Sequence, residues 1–415
     1  MTDFVIRTLS REEAIGKLAA NLGFPWALNV KRNVPLEKAI GFPLAEDLIS
    51  RTPNPPFSRS LRDGYAVRSQ DIVGASDSSP VFLYISGEVP MGRMPDISVP
   101  RENAALVHTG GAIPQGADSV IMIENTSESG RMVEIRKSVQ EGENILFKGE
   151  EFEKGHLILR AGEIVNFKNI GSIATCGFQT VDIIDLRVAI ISTGDEIVPA
   201  GIVDLPPGQI RDSNSSAILA LLYRAGIRGD FLGIIGDDQK ELERAFNVAL
   251  ESHDVVILSG GSSVSVRDHS LSLLKTLGDN DRNGLPVRGL NISPGKPTIV
   301  SGDGSKRKLA ICLPGHPLSC SVVTAVFLIP LLRTIYSGNP DDLFRKIFLP
   351  ASVDIIGKNG IEEFIPVRID PRGKAFPLWG KSGYVLALNT SDGFIRLPEE
   401  SETVRRGNDV EVWLW

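Results

Sequence analysis

The spacing of apolar and polar residues changes several times along the 415-residue chain. Over residues 10–50 apolar positions recur at three- and four-residue steps, a period that predicts helices over REEAIGKLAANL and PLEKAIGFPLAEDLIS. Residues 51–140 instead carry short β-branched runs separated by Gly, Pro and Asp, which predict a small β domain of strands and turns. Residues 141–180 return to a mixed pattern, and we expect them to join residues 1–50 in a mixed α/β, partly helical N-terminal domain.

From about residue 185 the pattern alternates between strand, turn and helix. Near-continuous apolar runs are expected for strands of a parallel sheet that is covered on both faces; they are LRVAIIS, FLGIIG, DVVILSGG and KLAICLPG. The segments between them predict helices, with Asp212 or Ser213 and then Asp238 as N-caps. Residues 181–337 are therefore predicted to form a doubly wound, mostly parallel α/β domain with right-handed crossovers. Residues 345–415 are again rich in β-branched residues and turns, which predicts a second small β domain.

Composition and charge exclude several classes of protein. A hydrophobic content of 42% and a charged content of 23% are those of a soluble globular protein. The net charge of −7 and the absence of a Lys/Arg run argue against nucleic acid as a partner. Three separated cysteines indicate buried thiols, not disulfides or a thiolate metal site. Because no signal-peptide pattern begins the chain and no apolar run reaches the ~18–20 residues of a membrane span, we expect a cytoplasmic protein that binds no membrane.

Three glycine-rich turns follow predicted strands of the α/β domain. They cover residues 192–196, 259–263 and 313–317, and the carboxyl ends of such strands are where ligands bind. Glycine allows close approach of a ligand, amides and hydroxyls bond anionic oxygens, and the next helix adds the positive end of its dipole. The turns therefore predict a phosphate-bearing ligand, although neither a G-x-G-x-x-G fingerprint nor a P-loop is present. The candidate binding residues in these turns are Thr193, Gly194, Ser259, Gly260, Gly261, Ser263, Pro314 and Gly315.

Acidic residues and one lysine accompany these turns. Carboxylates beside phosphate require a hard cation such as Mg²⁺ to bridge them, which makes Glu196, Asp237 and Asp268 candidates for metal binding or catalysis. Helix capping is the alternative for such residues, and it accounts for the neighbouring Asp238. Lys296 lies between two prolines, where a rigid loop suits an anion, with a solvated lysine as the alternative.

Histidines and the first β domain give weaker signals. His316 and His269 have no nucleophile at a recognisable spacing, so we expect them to be solvated or to stabilise loops. Asp63 precedes a glycine, and Asp-Gly is common in turns, so local chemistry alone predicts a structural role for it.

Eight sequence strings occur along the chain in one order, and together they carry a resemblance. They are PPFSRSLRDGYAVR, LVHTGGAIPQGADSVIMIEN, GENILFKGEEF, STGDEIV, GQIRDSNS, LSGGSSVSVRDHS, SPGKP and LPGHPLSC. In these strings, and over essentially its whole length, the chain resembles the molybdopterin molybdenumtransferase family, which includes bacterial MoeA and the E domain of gephyrin. The resemblance implies an elongated subunit of four domains and an obligate homodimer, with the DGYA loop of one subunit reaching the α/β domain of the other.

The resemblance also implies a reaction. Adenylylated molybdopterin and molybdate, or tungstate, would give the metal-loaded cofactor and AMP in the presence of Mg²⁺, and a molybdopterin adenylyltransferase would be a candidate partner. By motif, Asp63 and Thr109 would face the partner subunit, and Glu196, Asp237 and Asp268 would handle Mg²⁺ and water. The remaining residues implied to contact phosphate, pterin or oxoanion are Ser259, Gly260, Gly261, Ser263, Lys296, Pro297, Ser319 and, from the C-terminal domain, Ser382.

Several cations of the family pattern are missing. Leu146-Phe147-Lys148 replaces an arginine-rich stretch, Ser293 replaces the first lysine of K-x-G-K-P, and Ile361 and Pro366 replace the arginines of R-x-E-F-L-R-V. These losses leave the choice between molybdate and tungstate open. Adenylylation of molybdopterin by ATP and a non-catalytic scaffold role remain as alternative functions.

Overall fold

The structure is a computed structural model that describes residues 8–260, 264–277, 287–401 and 403–415, with only the backbone described for 264–269. It divides into two compact units. The first contains the described residues up to Glu46, Ala161–Asn166 and Val181–Trp415, and the second contains Asp47–Arg160 and Phe167–Thr180. Most of residues 141–180 thus lie with the first β domain instead of with residues 1–50, because Ile145–Leu146 and Leu157–Leu159 pair with Arg59–Ser60 and Leu48–Ile49. The division into four domains stays a prediction.

A six-stranded sheet forms the core of the second unit, as the strand-and-turn pattern predicts. Its neighbouring strands, in spatial order, are Ser119–Met122, Gly64–Val67, Asn103–Val107, Val81–Glu88, Met132–Ile135 and Thr126–Ser129. Tyr65, Leu83 and Ile121, on strands of this sheet, belong to one buried hydrophobic cluster. The unit also contains short helices at Ser69–Ile72, Ile123–Asn125 and Ile170–Thr175.

The N-terminal helix of the first unit is confirmed, and the second predicted helix is largely wrong. Arg11–Leu22 begins with a capping box, in which Ser10 Oγ accepts from the Glu13 amide while Glu13 accepts from the Ser10 amide. PLEKAIGFPLAEDLIS is helical only over Leu36–Ala39, because Gly41 adopts a left-handed φ of 89° and Pro43 then bridges to Ile164 as extended chain. The extended segments Val30–Pro35 and Thr180–Ile184 belong to a small sheet of their own.

The α/β class of the central domain is confirmed. Its strands, in spatial order, are Gly229–Ile235, Val188–Thr193, Val255–Gly260, Lys308–Leu313, Ile299–Asp303 and Val287–Arg288. The first four strands are parallel and the last two are antiparallel additions. The helices are Asn214–Arg224, Gln239–Ser252 and Val264–Leu277, and a short pair, Ile197–Val198 with Ile210–Arg211, lies beside the first turn. Asp238 caps its helix through the Glu241 amide as predicted, whereas Asp212, not Ser213, accepts the Ser215 amide of the helix before it.

A buried helical segment follows the last parallel strand. It runs through Pro317–Val323, a π-helical stretch Thr324–Leu328 and Ile329–Ser337. At 21 residues, with a mean hydropathy of 1.9 over 18 of them, it is long and apolar enough to cross a membrane, contrary to the sequence expectation. Of those 18 residues, however, 94% are buried within the protein, as in a core helix. The segment continues through Pro330, which has no N–H to donate to the Val326 carbonyl one α-helical turn earlier. The chain is π-helical at this point, and Arg11 Nη1 donates to the Val326 carbonyl at 3.0 Å.

The C-terminal β domain is also confirmed. Its sheet has the order Ile292–Ser293, Glu362–Ile369, Gly393–Leu397, Asp409–Leu414 and Arg345–Pro350, with Ala375–Pro377 on Glu362–Ile369. A small pair, Ile355–Ile356 with Thr403–Val404, and the helix Leu386–Asn389 complete it. Because Ile292–Ser293 pairs with Glu362 and Glu363, the loop that carries Lys296 is held to this domain.

Candidate functional site

The three glycine-rich turns meet at one edge of the parallel sheet. Ser192 pairs with Ser259, and Ser259 pairs with Leu313, so the turns that follow these positions are immediate neighbours. A cleft of about 430 Å³ opens beside them. It is lined by Ser192, Glu196, Ile197, Ile210, Arg211, Asp212, Ser213, Asn214, Ser259, Gly260, Gly315, His316, Pro317, Gly383 and Val385.

Buried hydrogen bonds form a polar floor for this cleft. Ser192 Oγ donates to Asp212 Oδ2 at 2.7 Å. Asn214 Nδ2 donates to Ser259 Oγ at 3.1 Å and to the Gly315 carbonyl at 2.9 Å, which ties two of the turns together. Asn214 is only 9% exposed, and its Oδ1 is buried with no hydrogen-bond partner among the described residues.

Glycine is required where two of the turns approach each other. A Cβ on Gly260, whose φ is 132°, would lie 2.0 Å from the Thr193 carbonyl oxygen. A Cβ on Gly194, at a φ of 137°, would lie 2.6 Å from the Glu196 carboxylate. The backbone of Thr193 therefore closes position 260 to other residues, whereas at position 194 the positive φ favours glycine. The Glu196 carboxylate lies beside the first turn.

The predicted acidic set is only partly described. Glu196 is half-buried at the cleft, and its carboxylate makes no hydrogen bond or ion pair with any other residue that the structure describes. Asp237 is half-buried, and its amide donates to Asp195 Oδ1 at 2.9 Å. Asp268 lies in the helix Val264–Leu277, but its side chain is not among the parts of the chain that the structure describes. Gly261 and Ser263 lie wholly outside the described residues. Within the described part of the chain, no three His, Cys, Asp or Glu residues are grouped to hold a metal ion, although the oxygen donors of Glu196 and its neighbours suit Mg²⁺.

The other predicted residues lie around the same edge. Lys296 and Pro297 are exposed, and Pro297 lines a small cavity together with Gly260 and Pro314. Ser319 is buried in the first turn of the helix Pro317–Val323.

The C-terminal domain makes polar contacts at two points around this edge, the first of which lies at the cleft. Ser382 Oγ lies 2.7 Å from His316 Nδ1, and the Ser382 carbonyl accepts from the Leu318 amide at 3.0 Å. His316, expected to be solvated or to stabilise a loop, is exposed and contacts Ser382 of the C-terminal domain. At the second point Lys358 Nζ lies 2.8 Å from Ser293 Oγ and 2.8 Å from Glu363 Oε1. A cation thus reaches Ser293, the position at which the family pattern has a lysine.

In the second unit Asp63 and Thr109 are adjacent. Asp63 Oδ1 accepts from the Thr109 amide at 2.8 Å, and His108 Nδ1 lies 3.7 Å away while its Nε2 contacts Glu88 at 3.0 Å. The hydrogen bond from the Thr109 amide, assisted by the charge of His108, lowers the pKa of Asp63. The turn requires Gly64, because a Cβ there would lie 1.9 Å from the Ile121 carbonyl oxygen.

Some residues of the site escaped sequence analysis. Asp212 was predicted only as a cap, and Asn214 was part of the GQIRDSNS string without a role of its own. Lys358 lies in a loop outside every motif, so nothing in its sequence context pointed to it. The cysteines are free and buried as expected, and burial raises the pKa of Cys320, which lies beside Ser259, to about 12.

Three family models match consecutive parts of the chain. The MoeA N-terminal region (domain I and II) matches residues 9–177, a molybdopterin binding domain matches residues 189–334, and the MoeA C-terminal region (domain IV) matches residues 349–415. Together they follow the order of the sequence strings described above.

Individual proteins are similar over nearly the whole chain. A molybdopterin biosynthesis protein of Methanocaldococcus jannaschii is 30% identical over 395 residues, 92% of each chain. A molybdopterin molybdenumtransferase of Staphylococcus aureus is 31% identical over 396 residues, 92% of this chain and 90% of that one. Among solved structures, a molybdopterin biosynthesis MoeA protein of Pyrococcus horikoshii has a TM-score of 0.77 at 33% identity, covering 98% of this chain and 99% of that one. A second structure of this kind, from Pyrococcus horikoshii OT3, has a TM-score of 0.82 at 27% identity, covering 99% and 100%.

Proposed function

The chain belongs to the MoeA family of molybdopterin molybdenumtransferases, enzymes of molybdenum cofactor biosynthesis, and from this premise we propose that it inserts molybdate or tungstate into adenylylated molybdopterin and releases AMP. The observation that carries the proposal is the meeting of three glycine-rich turns around a polar cleft, a geometry suited to phosphate. In this reaction water cleaves one P–O bond of the phosphoanhydride, giving AMP and the pterin phosphate. The two dithiolene sulfurs replace oxygen ligands of the oxoanion, which take up protons and leave as water.

Different residues around the cleft would bind different parts of the ligand. Ser259, Gly260 and Gly315 line the cleft and would face phosphate oxygens, and Glu196, which also lines it, would hold Mg²⁺. Asp237 and Asp268 are assigned to the same metal by the family resemblance. When bound, Mg²⁺ would neutralise charge on the phosphates. Ile197, Ile210 and Val385 are apolar residues of the cleft lining, and Ile197 pairs with Ile210, so they offer apolar surface to a flat ring of the ligand.

The direct test is release of AMP. Purified protein, adenylylated molybdopterin and Mg²⁺ are mixed with molybdate or with tungstate, and AMP is quantified over time. We expect release that depends on the oxoanion. No AMP with either oxoanion would contradict the proposal; ATP consumption with molybdopterin alone would favour the adenylyltransferase alternative, and pterin binding without turnover would favour the scaffold.

Lys296 and Lys358 form the proposed oxoanion end of the site. Lys358 Nζ has three donors, of which Ser293 and Glu363 take two, and its side chain is 60% exposed. It therefore offers a charge-assisted hydrogen bond at the position of a missing family lysine. Both lysines stand on one rigid support, because Ile292–Ser293 pairs with Glu362 and Glu363.

Replacing Lys358 by glutamine should raise the molybdate concentration for half-maximal AMP release about tenfold, since ~1.4 kcal/mol of binding corresponds to that factor. The maximal rate should change less. Lys306→Gln is the matched control, because Lys306 pairs with Asp303 where the strand Ile299–Asp303 ends, far from the glycine-rich turns. Equal molybdate dependence in Lys358→Gln and wild type would remove Lys358 from the site.

We further propose a homodimer in which Asp63 of one subunit completes the cleft of the other. Co-expression of Asp63→Asn and Glu196→Gln chains should then restore about one quarter of wild-type activity, because half of the dimers are mixed and each mixed dimer has one intact site. Each variant alone should retain about 1% of wild-type activity or less. Co-expressed Glu196→Gln and Asp237→Asn chains are the control, since both changes lie on the α/β domain and no intact site forms. A lack of recovery in the first mixture would place each site within a single chain.

The compartment and a second partner follow from the same proposal. Three free, buried cysteines are consistent with a reducing cytoplasm. There a molybdopterin adenylyltransferase would supply the adenylylated substrate, and its direct contact with this enzyme is part of the proposal.

A further inference from the structure

We infer that Asn214 is a positioning residue that turns the Ser259 hydroxyl hydrogen toward the cleft, where it donates to a phosphate oxygen of the ligand. The inference rests on the proposed function, because it assigns phosphate to this part of the cleft. It gives a role to a buried amide that sequence analysis passed over.

The orientation of the Asn214 amide is fixed by its partners. The Gly315 carbonyl can only accept, so the atom 2.9 Å from it must be the Nδ2 donor and not Oδ1. The second hydrogen of Nδ2 points to Ser259 Oγ at 3.1 Å. Both amide hydrogens are therefore committed, one to each of two neighbouring turns.

This arrangement decides what Ser259 can do. Its oxygen accepts from Asn214, which leaves its own hydrogen for another acceptor. Among the residues that the structure describes, the other hydrogen-bonding neighbour of its oxygen is Cys320 Sγ at 3.9 Å, a weak acceptor. Ser259 lines the cleft, so an anionic oxygen placed there would be the strongest acceptor within reach.

Ser192 provides an internal contrast. It occupies the position paired with Ser259 on the adjacent strand, and both side chains line the same cleft. Ser192 Oγ, however, donates to Asp212 Oδ2 at 2.7 Å, and a carboxylate can only accept. The hydrogen of Ser192 is thus used within the protein, whereas that of Ser259 is available to a ligand.

The unpaired Oδ1 of Asn214 supports a functional reason for the amide. A buried acceptor without a partner is uncommon and unfavourable, and an apolar or hydroxyl side chain would avoid it. Asparagine is nevertheless present at a position only 9% exposed, where its two donors are needed to connect the turns of Ser259 and Gly315.

AMP binding to the full-length protein, measured by titration calorimetry with Mg²⁺, tests the inference. We expect Asn214→Ala and Ser259→Ala each to raise the Kd for AMP about tenfold, in the range of one hydrogen bond to a charged group. Since Asn214 acts through Ser259, the double variant should bind AMP no more weakly than Ser259→Ala. Asn214→Asp keeps the shape but loses both donors, and should not restore affinity. Thr334→Ala removes a buried hydroxyl bonded to the Pro330 carbonyl and should leave the Kd unchanged.

The outcomes separate the inference from the proposed function. The role of Asn214 would be contradicted if the increases in Kd of the two single variants multiplied in the double variant, or if Ser259→Ala left the Kd unchanged. The proposed function would remain supported in either case, because the wild-type protein would still bind AMP. A wild-type protein that binds no AMP would overturn both. Thermal unfolding of each variant shows whether it is folded. If Asn214→Ala is not, the Kd values of Ser259→Ala and Asn214→Asp still test the role of Asn214.

Discussion

Replacing Asp63 by asparagine is expected to lower the rate of AMP release by about 10²-fold or more, the usual contribution of a positioned acid–base group. The asparagine oxygen can still accept from the Thr109 amide, which Asp63 does now at 2.8 Å. Gly64 and the strand Gly64–Val67 are not altered, so the turn is kept and only the charge is lost. Loss of activity would then report on the carboxylate itself.

The pKa of Asp63 sets the expected pH dependence. Donation from the Thr109 amide, with the charge of His108, holds this pKa below its usual range. A carboxylate with a lowered pKa stays ionised at neutral pH and loses its charge only as the pH falls through that lowered value. The wild-type rate should therefore show no loss from Asp63 above pH ~4, near the ordinary pKa of an aspartate, and should fall only in stronger acid. The residual activity of Asp63→Asn should lack this acid limb.

Single-turnover release of AMP from pre-bound substrate is the measurement, because it excludes product release. Asp71→Asn is the matched control, since Asp71 also accepts a backbone amide, that of Glu102 at 2.8 Å, in the same unit. We expect it to keep the wild-type rate. Equal rates in Asp63→Asn and wild type would remove Asp63 from the mechanism.

The parts of the fold that sequence alone predicted are those governed by local patterns. Buried parallel strands require apolar runs, and glycines are required wherever turns approach as closely as Gly260 approaches Thr193. Both requirements are visible in the sequence, and parallel pairing then brings the ends of the strands together. The helix predicted over residues 35–50 failed because the left-handed Gly41 and extended Pro43 outweighed the apolar spacing.

Contacts between residues that are far apart in the sequence could not be predicted, because these residues come together only in the folded chain. Asn214 is 45 residues from Ser259 and 101 from Gly315, and Lys358 is 65 from Ser293. The cation missing from one motif is brought by a loop that no motif marks. Arg11 likewise reaches the Val326 carbonyl, 315 residues away, to which Pro330 has no N–H to donate.

The same arginine underlies the second large prediction. Glu362 accepts from Arg11 Nε at 2.6 Å and from Arg11 Nη2 at 2.8 Å, and it also accepts from Arg396 Nε at 2.5 Å. Arg11 and Glu362 are only 5% and 3% exposed, so their charges depend on each other. Glu362→Gln removes the buried partner of Arg11 and leaves only the exposed Glu12, 3.0 Å from Arg11 Nη2, to balance its charge. The loss should lower the free energy of unfolding by about 3–5 kcal/mol.

Urea unfolding at neutral pH, followed by tryptophan fluorescence, measures this change, since Trp413 stacks near Arg11 and should report on the region. Asp354→Asn is the control, because Asp354 pairs with Arg405 in the same domain but both side chains are exposed. The Asp354→Asn protein should therefore be as stable as wild type. A Glu362→Gln protein as stable as this control would show that the buried cluster contributes nothing to folding.

Acid should remove the difference between Glu362→Gln and wild type. Burial alone would raise the pKa of Glu362, but the hydrogen bonds and charges of Arg11 and Arg396 outweigh it and lower the pKa overall. A carboxylate with a lowered folded-state pKa stabilises the protein above its unfolded pKa and loses that stabilisation as the pH falls through the folded value. The two proteins should thus differ most at neutral pH and converge below pH ~4, where the unfolded glutamate is protonated and the folded one follows. A difference that persists unchanged into acid would mean that the shape of the glutamate, not its charge, holds the N-terminal helix to the C-terminal sheet.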